Sequence, residues 1–254
     1  MTIVVALANP PREGLVGTEL AASTPLSTAE AADLYEAQLR DLVLAVDRSG
    51  GDLLINYPEP DALPEAYRTE RSPEAELRAV VADTLGGTEE VRFEPQVGST
   101  VSARAGNTVT HLLREEGADS VAVMTPTTPL CSRTTIDAAA MKLRTNGVVL
   151  GPSTEGRVHY AGFTQPIDFE AAFERPSLST LAQRGRDAGL DVEFIEPLPV
   201  LETGRDLLDV VPTLRARFTA ERVVPKHVSE FVYDHGLDVV VEDGETRLVR
   251  EETE

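Results

Sequence analysis

The stretch VALANPPREGLVGTELA, Val5 to Ala21, is where the fold is read. Its opening residues are a short apolar run of the kind a buried strand needs, and they lead into a loop carrying Pro10, Pro11, Gly14 and Gly17 before the composition turns helical. A loop of this type at the end of a first strand is where many α/β proteins hold the phosphates of a nucleotide. Here the stretch contains one arginine, Arg12, two glutamates, Glu13 and Glu19, and no lysine. Its service to a nucleotide therefore has to be judged from the rest of the chain.

Outward from that stretch, apolar runs alternate with amphipathic ones. TIVVALA predicts the first strand, and LSTAEAADLYEAQLRDLVLAV predicts a helix with Ser27 and Glu30 at capping-box spacing and Leu34, Leu39, Leu42, Val43 and Val46 on one face. DLLINY is the second strand. SPEAELRAVVADTL is a helix with Ser72 as its cap and Pro73 in its first turn. EVRFEP predicts a weaker strand, a helix falls within Ser99 to Glu116, and DSVAVMTP predicts a strand buried on both faces. The loop TPTTPLCS, a helix from about Thr134 to Arg144, the strands GVVLGP and RVHYAGF, the helix LSTLAQRGRDAG, the strand DVEFIE, the loop PLPVLET and the helix GRDLLDVVPTLRARF continue the pattern. Such alternation predicts a three-layer αβα sandwich around a mostly parallel sheet. Residues 1–219 form this domain, and residues 220–254 change character into a short helix and a hairpin turning at Asp243-Gly244. That appendage is read first as a cap folded on its own domain and second as a homodimer contact.

Charge narrows the partners. The 254 residues carry 43 acidic against 23 basic side chains, a formal net charge of −20, and only Lys142 and Lys226 are lysines. Such a balance repels nucleic acid and anionic membrane surfaces, so neither is expected as a partner. The acids are spread along the chain, which suits high intracellular salt, where screening weakens self-repulsion; a halophilic source is expected. No run is long and apolar enough to span a membrane and no leader pattern stands at Met1, so a cytoplasmic protein is expected. The single cysteine, Cys131, excludes an internal disulfide framework.

The common site motifs are missing. There is no GxGxxG or GxxxxGK[ST] after the first strand, no GxSxG and no HExxH, and the four histidines are scattered. What remains is a set of loops that follow strands: Asn9 to Thr18, Thr125 to Ser132, Gly151 to Gly156 and Pro199 to Thr203. In an open parallel sheet such loops share the carboxyl rim, where ligands bind. GPSTEG, with two glycines, a proline and an acid between strands, is a tight turn able to bring a carboxylate to a ligand.

The order and spacing of these segments resemble bacterial and archaeal proteins of the GT-A, or nucleotide-diphospho-sugar transferase, fold, with cofactor guanylyltransferases as more distant relatives. The resemblance covers about Thr2 to Phe218. Three blocks carry it: LANPPREGLVGTELA with STAEAADLYEAQLRDLV; SVAVMTPTTPLCSRTTIDAA with GVVLGPSTEGRVHYAGF; and FIEPLPVLETGRDLLDV. In that family the first loop presents basic side chains to phosphates, and the matching positions here are Asn9, Leu15, Gly17 and Glu19. A metal-binding carboxylate after the central strand falls on Thr127 or Thr128. The family's Asp-Gly-Gly turn becomes Glu155-Gly156-Arg157, and its Asp-Val-Asp-Thr becomes Val200-Leu201-Glu202-Thr203.

The resemblance implies a nucleotide or nucleotide sugar as the small-molecule partner. It places the ligand among Ala8, Asn9, Arg12, Gly14, Gly17, Thr18 and Arg157, with Thr127, Thr128 and Glu155 as candidate catalytic or positioning groups. Glu155 and Glu202 are the candidate ligands for Mg²⁺ or Mn²⁺. Arg12 or Arg157 would take a phosphate bidentately. Two readings follow: a divergent metal-dependent nucleotidyl- or glycosyltransferase, which is preferred, and a catalytically degenerate GT-A scaffold that binds or supports a partner. A third pairs His159 with Glu155 as acid and base.

Overall fold

The structure, a computed structural model, describes residues 1–250. A seven-stranded sheet runs in the order β3-β2-β1-β4-β6-β5-β7. Its strands are β1 (Thr2–Leu7), β2 (Asp52–Tyr57), β3 (Arg92–Pro95), β4 (Ser120–Met124), β5 (Val148–Pro152), β6 (Val158–Phe163) and β7 (Val192–Phe194). All pairings are parallel except those of β6, which runs against both β4 and β5.

Helices α1 (Thr18–Ser23), α2 (Thr28–Asp47), α3 (Pro73–Leu85), α4 (Val101–Arg114), α5 (Arg133–Leu143), α6 (Ser177–Asp187) and α7 (Gly204–Thr219) cover the sheet. Period-two alternation decides the layers. Val4, Ala6, Leu53, Ile55, Ala122 and Met124 join α2, α3, α5 and α7 in one core, whereas Val5, Leu54, Val121 and Val123 join α4 and α6 in the other. The three-layer αβα sandwich expected from the sequence is therefore present. Ser27 and Glu30 form the anticipated capping box, and the predicted face of α2 is buried.

The chain continues through α8 (Lys226–Asp234) to a hairpin of β8 (Leu237–Glu242) and β9 (Glu245–Arg250). Val228, Phe231, Val232 and Leu237 enter the larger core. The buried Asp41 of α2 accepts the backbone N–H of His227 at 3.0 Å and of Val228 at 2.8 Å, so one helix caps the next. Arg215 of α7 donates to the Leu237 carbonyl at 2.9 Å, and Arg250 reaches Glu30 at 2.8 Å. Among the described residues no helix is long and apolar enough to cross a membrane.

Strand order places the site. From β1 the chain turns outward to β2 and β3, whereas β4 lies on the other side of β1, so the connections diverge between β1 and β4. In open α/β sheets the carboxyl ends of the strands at such a switch point are where ligands bind.

Candidate functional site at the carboxyl rim

Because β1, β4, β5 and β7 are parallel and β6 returns antiparallel, the loops that follow β1, β4, β5 and β7 open on one rim. Hydrogen bonds tie three of them together. The Leu201 N–H donates to the Thr127 carbonyl at 2.8 Å, Leu198 N–H to the Pro152 carbonyl at 3.1 Å, and Val200 N–H to the Ser153 hydroxyl at 3.0 Å.

The first loop is built for packing. Ala8 is buried and extends the sheet by donating to the Asn56 carbonyl at 3.1 Å, while the Asn9 N–H donates to the Tyr35 hydroxyl at 2.9 Å. Gly14 and Gly17 both have positive φ, and a β-carbon on Gly17 would stand 2.6 Å from the Ala31 carbonyl oxygen. Gly17 thus permits the close approach of the loop to α2. Thr18 starts the short α1 and is exposed. Arg12, its side chain 10% exposed, pairs with Glu76, 2.8 Å away, and donates to the carbonyls of Tyr67 and Arg71. It fastens the loop to α3.

At the turn after β5, Glu155 adopts φ 56°, a left-handed conformation uncommon outside glycine, and Gly156 follows at φ 69°. Arg157 is then buried. Its Nε donates to the Thr154 carbonyl at 3.1 Å, one Nη2 hydrogen goes to the Thr154 hydroxyl at 2.6 Å and the other to Asp206 Oδ1, while Nη1 reaches Glu202 Oε2 at 3.1 Å and Asp206 Oδ2 at 3.0 Å. A guanidinium has five N–H donors, and all of these are used inside the protein. Arg157 therefore has no donor left for a phosphate.

Asp206 completes this pair. Its carboxylate also accepts the backbone N–H of Glu202 at 3.0 Å and of Thr203 at 2.9 Å, within a capping box at the start of α7. Burial alone would raise its pKa, but Arg157 and these two amides hold it below the ordinary aspartate value. The Arg157 guanidinium is likewise buried yet held more firmly charged by Asp206 and Glu202. Neither role was anticipated for Asp206, although the Thr203-x-x-Asp206 spacing is a legible cap signal.

Glu155 and Glu202 do meet, through an arginine absent from the sequence expectations. Arg175 donates from Nη1 to Glu155 Oε2 at 3.2 Å and from Nη2 to Glu202 Oε2 at 3.0 Å. Its side chain is 52% exposed, and Arg205, 83% exposed, lies 3.6 Å from Glu155 Oε1. Thr127 faces this cluster, donating to Glu202 Oε1 at 3.3 Å. Thr128 is buried and donates instead to the Thr125 carbonyl at 3.2 Å, which shapes the loop.

As ligands for a resident Mg²⁺ or Mn²⁺ the two glutamates do not fit as arranged. Such ions need several free oxygen donors, whereas both carboxylates here face guanidinium groups, and no three His, Cys, Asp or Glu side chains lie together as a cage among the described residues. His159 is not paired with Glu155. Its Nε2 meets the Glu196 carbonyl at 2.9 Å, and burial lowers its pKa, so the ring is a neutral packed group.

The whole architecture matches solved structures. One, from Desulfovibrio desulfuricans G20 and provisionally named a nucleotide-diphospho-sugar transferase, superposes with a TM-score of 0.71 at 19% identity, covering 92% of this chain and 95% of that one. Another, a cytidylyltransferase from Leptospira borgpetersenii serovar Hardjo-bovis (strain JB197), gives 0.50 at 9% identity, covering 92% of this chain and 94% of that one. No protein-family model and no curated protein matches the sequence. At these identities the likeness is one of fold: the chain has the fold of the nucleotide-diphospho-sugar transferases.

Proposed function

We propose that this protein binds a nucleotide or nucleotide sugar at the carboxyl rim and acts as a nucleotidyl- or glycosyltransferase. The observation that supports the reading best is the meeting of the loops after β4, β5 and β7 beside the β1–β4 switch point, in a fold shared with a protein named for nucleotide-sugar transfer. On this reading Thr127 offers a hydroxyl to the bound ligand. Glu202, partly exposed and linked to Thr127, Arg157 and Arg175, positions the groups around it.

A second reading has its own support. Arg12 and Arg157, the two arginines expected to take a phosphate, are both engaged inside the protein, which suits a scaffold that has lost its chemistry. Calorimetric titration with CTP, GTP, UDP-glucose and GDP-mannose separates the two, followed by assay of the binding nucleotide for turnover. Binding with turnover is expected. Binding without turnover against a broad set of acceptors would support the scaffold, and no binding of any probe would overturn the nucleotide reading.

A further inference from the structure

The rim arginines differ in what they have left to give. Arg157 has spent every donor, whereas Arg175 spends one N–H on Glu155 and one on Glu202 and keeps the remaining three. Arg205 makes no hydrogen bond among the described residues and stands exposed beside Glu155.

Each oxygen of the two glutamates already has a partner. Glu202 Oε2 receives Arg157 and Arg175, Glu202 Oε1 receives Thr127, Glu155 Oε2 receives Arg175, and Glu155 Oε1 faces Arg205. Three carboxylates, Glu155, Glu202 and Asp206, stand against three guanidiniums, Arg157, Arg175 and Arg205. The cluster therefore has no surplus negative charge to attract a dication, and an entering metal would meet three positive groups at short range. An approaching phosphate meets no surplus positive charge either, but it finds exposed guanidinium N–H donors that the carboxylates have not used. Of these planar, permanently charged groups, Arg175 is held in place by its hydrogen bonds to Glu155 and Glu202, and Arg205 stands free beside Glu155.

We infer that Arg175, lying between Glu155 and Glu202, takes the place that a divalent cation would hold between two carboxylates, and that Arg175 and Arg205 together receive the ligand's phosphate directly. Binding of a phosphate-bearing nucleotide at this rim then requires no metal. The inference rests on the nucleotide reading above, and its test can fail separately.

The intact protein is titrated calorimetrically with the same four nucleotides at constant KCl, once in EDTA and once in Mn²⁺. At least one probe is expected to bind with affinities within about twofold in the two conditions. Arg175→Ala is expected to weaken that binding by about tenfold or more, with Arg175→Lys recovering only part, because an ammonium cannot bridge two carboxylates through a planar fork. Arg205→Ala, at an exposed position without a hydrogen bond, provides a variant that leaves the fold intact and is expected to weaken binding severalfold. Melting temperatures of all variants control for folding. Binding that appears only with Mn²⁺, or that survives unchanged in both alanine variants, would overturn the inference and leave the nucleotide reading standing. No binding in either condition would remove both.

Discussion

Arg157 and Asp206 face each other with side chains 6% and 5% exposed, so their ion pair is kept from water and each leaves a buried charge if the other is removed. Asp206→Asn is expected to lower unfolding stability at neutral pH by about 3 kcal/mol, measured by urea denaturation. The pH dependence follows from the direction of the shift. Asp206 is held below its ordinary value of 3.8, so its contribution is complete above that pH and is lost as pH falls through the lower folded value. The gap between wild type and Asp206→Asn should therefore close on the acid side of about pH 4. Arg175 and Glu155 are different in kind. Their pair is half-exposed, and such pairs contribute about 0–1 kcal/mol, so their substitutions should be read in ligand binding and hardly in stability.

Among the elements, α8 depends on α2 for its start. Pro225 precedes it without a side-chain cap, and the Asp41 carboxylate supplies the missing acceptor from another helix. Asp41→Ala should cost about 1 kcal/mol and speed amide exchange across Lys226 to Asp234, seen by hydrogen-exchange mass spectrometry. Burial pushes the Asp41 carboxyl up to about 6, against the pull of the amides of His227, Val228 and Lys226. The folded chain thus holds this proton to higher pH than the unfolded chain. The group favours folding at low pH, and that advantage is lost as pH rises from 3.8 through about 6. Asp41→Asn, which cannot titrate, should flatten the stability profile over that window. The short α1 shows the other side of element formation. Its six residues are held by Gly17 pressed on Ala31 and by the Gly204 N–H donating to the Ser23 hydroxyl at 2.9 Å, contacts that no local pattern announces.

For the molecule as a whole, the C-terminal segment shares the main core. Truncation after Thr219 would expose the surfaces that receive Val228, Phe231, Val232 and Leu237, each such burial worth about 1.5–3 kcal/mol, which is a large part of a typical domain's stability. The truncated chain is expected to melt well below the full chain or to aggregate, as scanning calorimetry and light scattering would show. The net charge of −20 makes a second global prediction: stability should rise from dilute buffer to molar KCl as self-repulsion is screened, with the melting temperature as the measure. The layers, the parallel strands and the caps at Ser27 and Ser72 were legible along the chain, because period-two and period-3.6 burial and capping spacings are local properties of sequence. The side-by-side placement of the rim loops followed once the strands were taken as parallel. The fate of each charge was decided only by the tertiary structure. Arg12 is drawn to Glu76, Arg157 to Asp206, and Arg175 between Glu155 and Glu202, over separations of 64, 49, 20 and 27 residues, and such pairings depend on where the fold carries each side chain and how deeply it is buried.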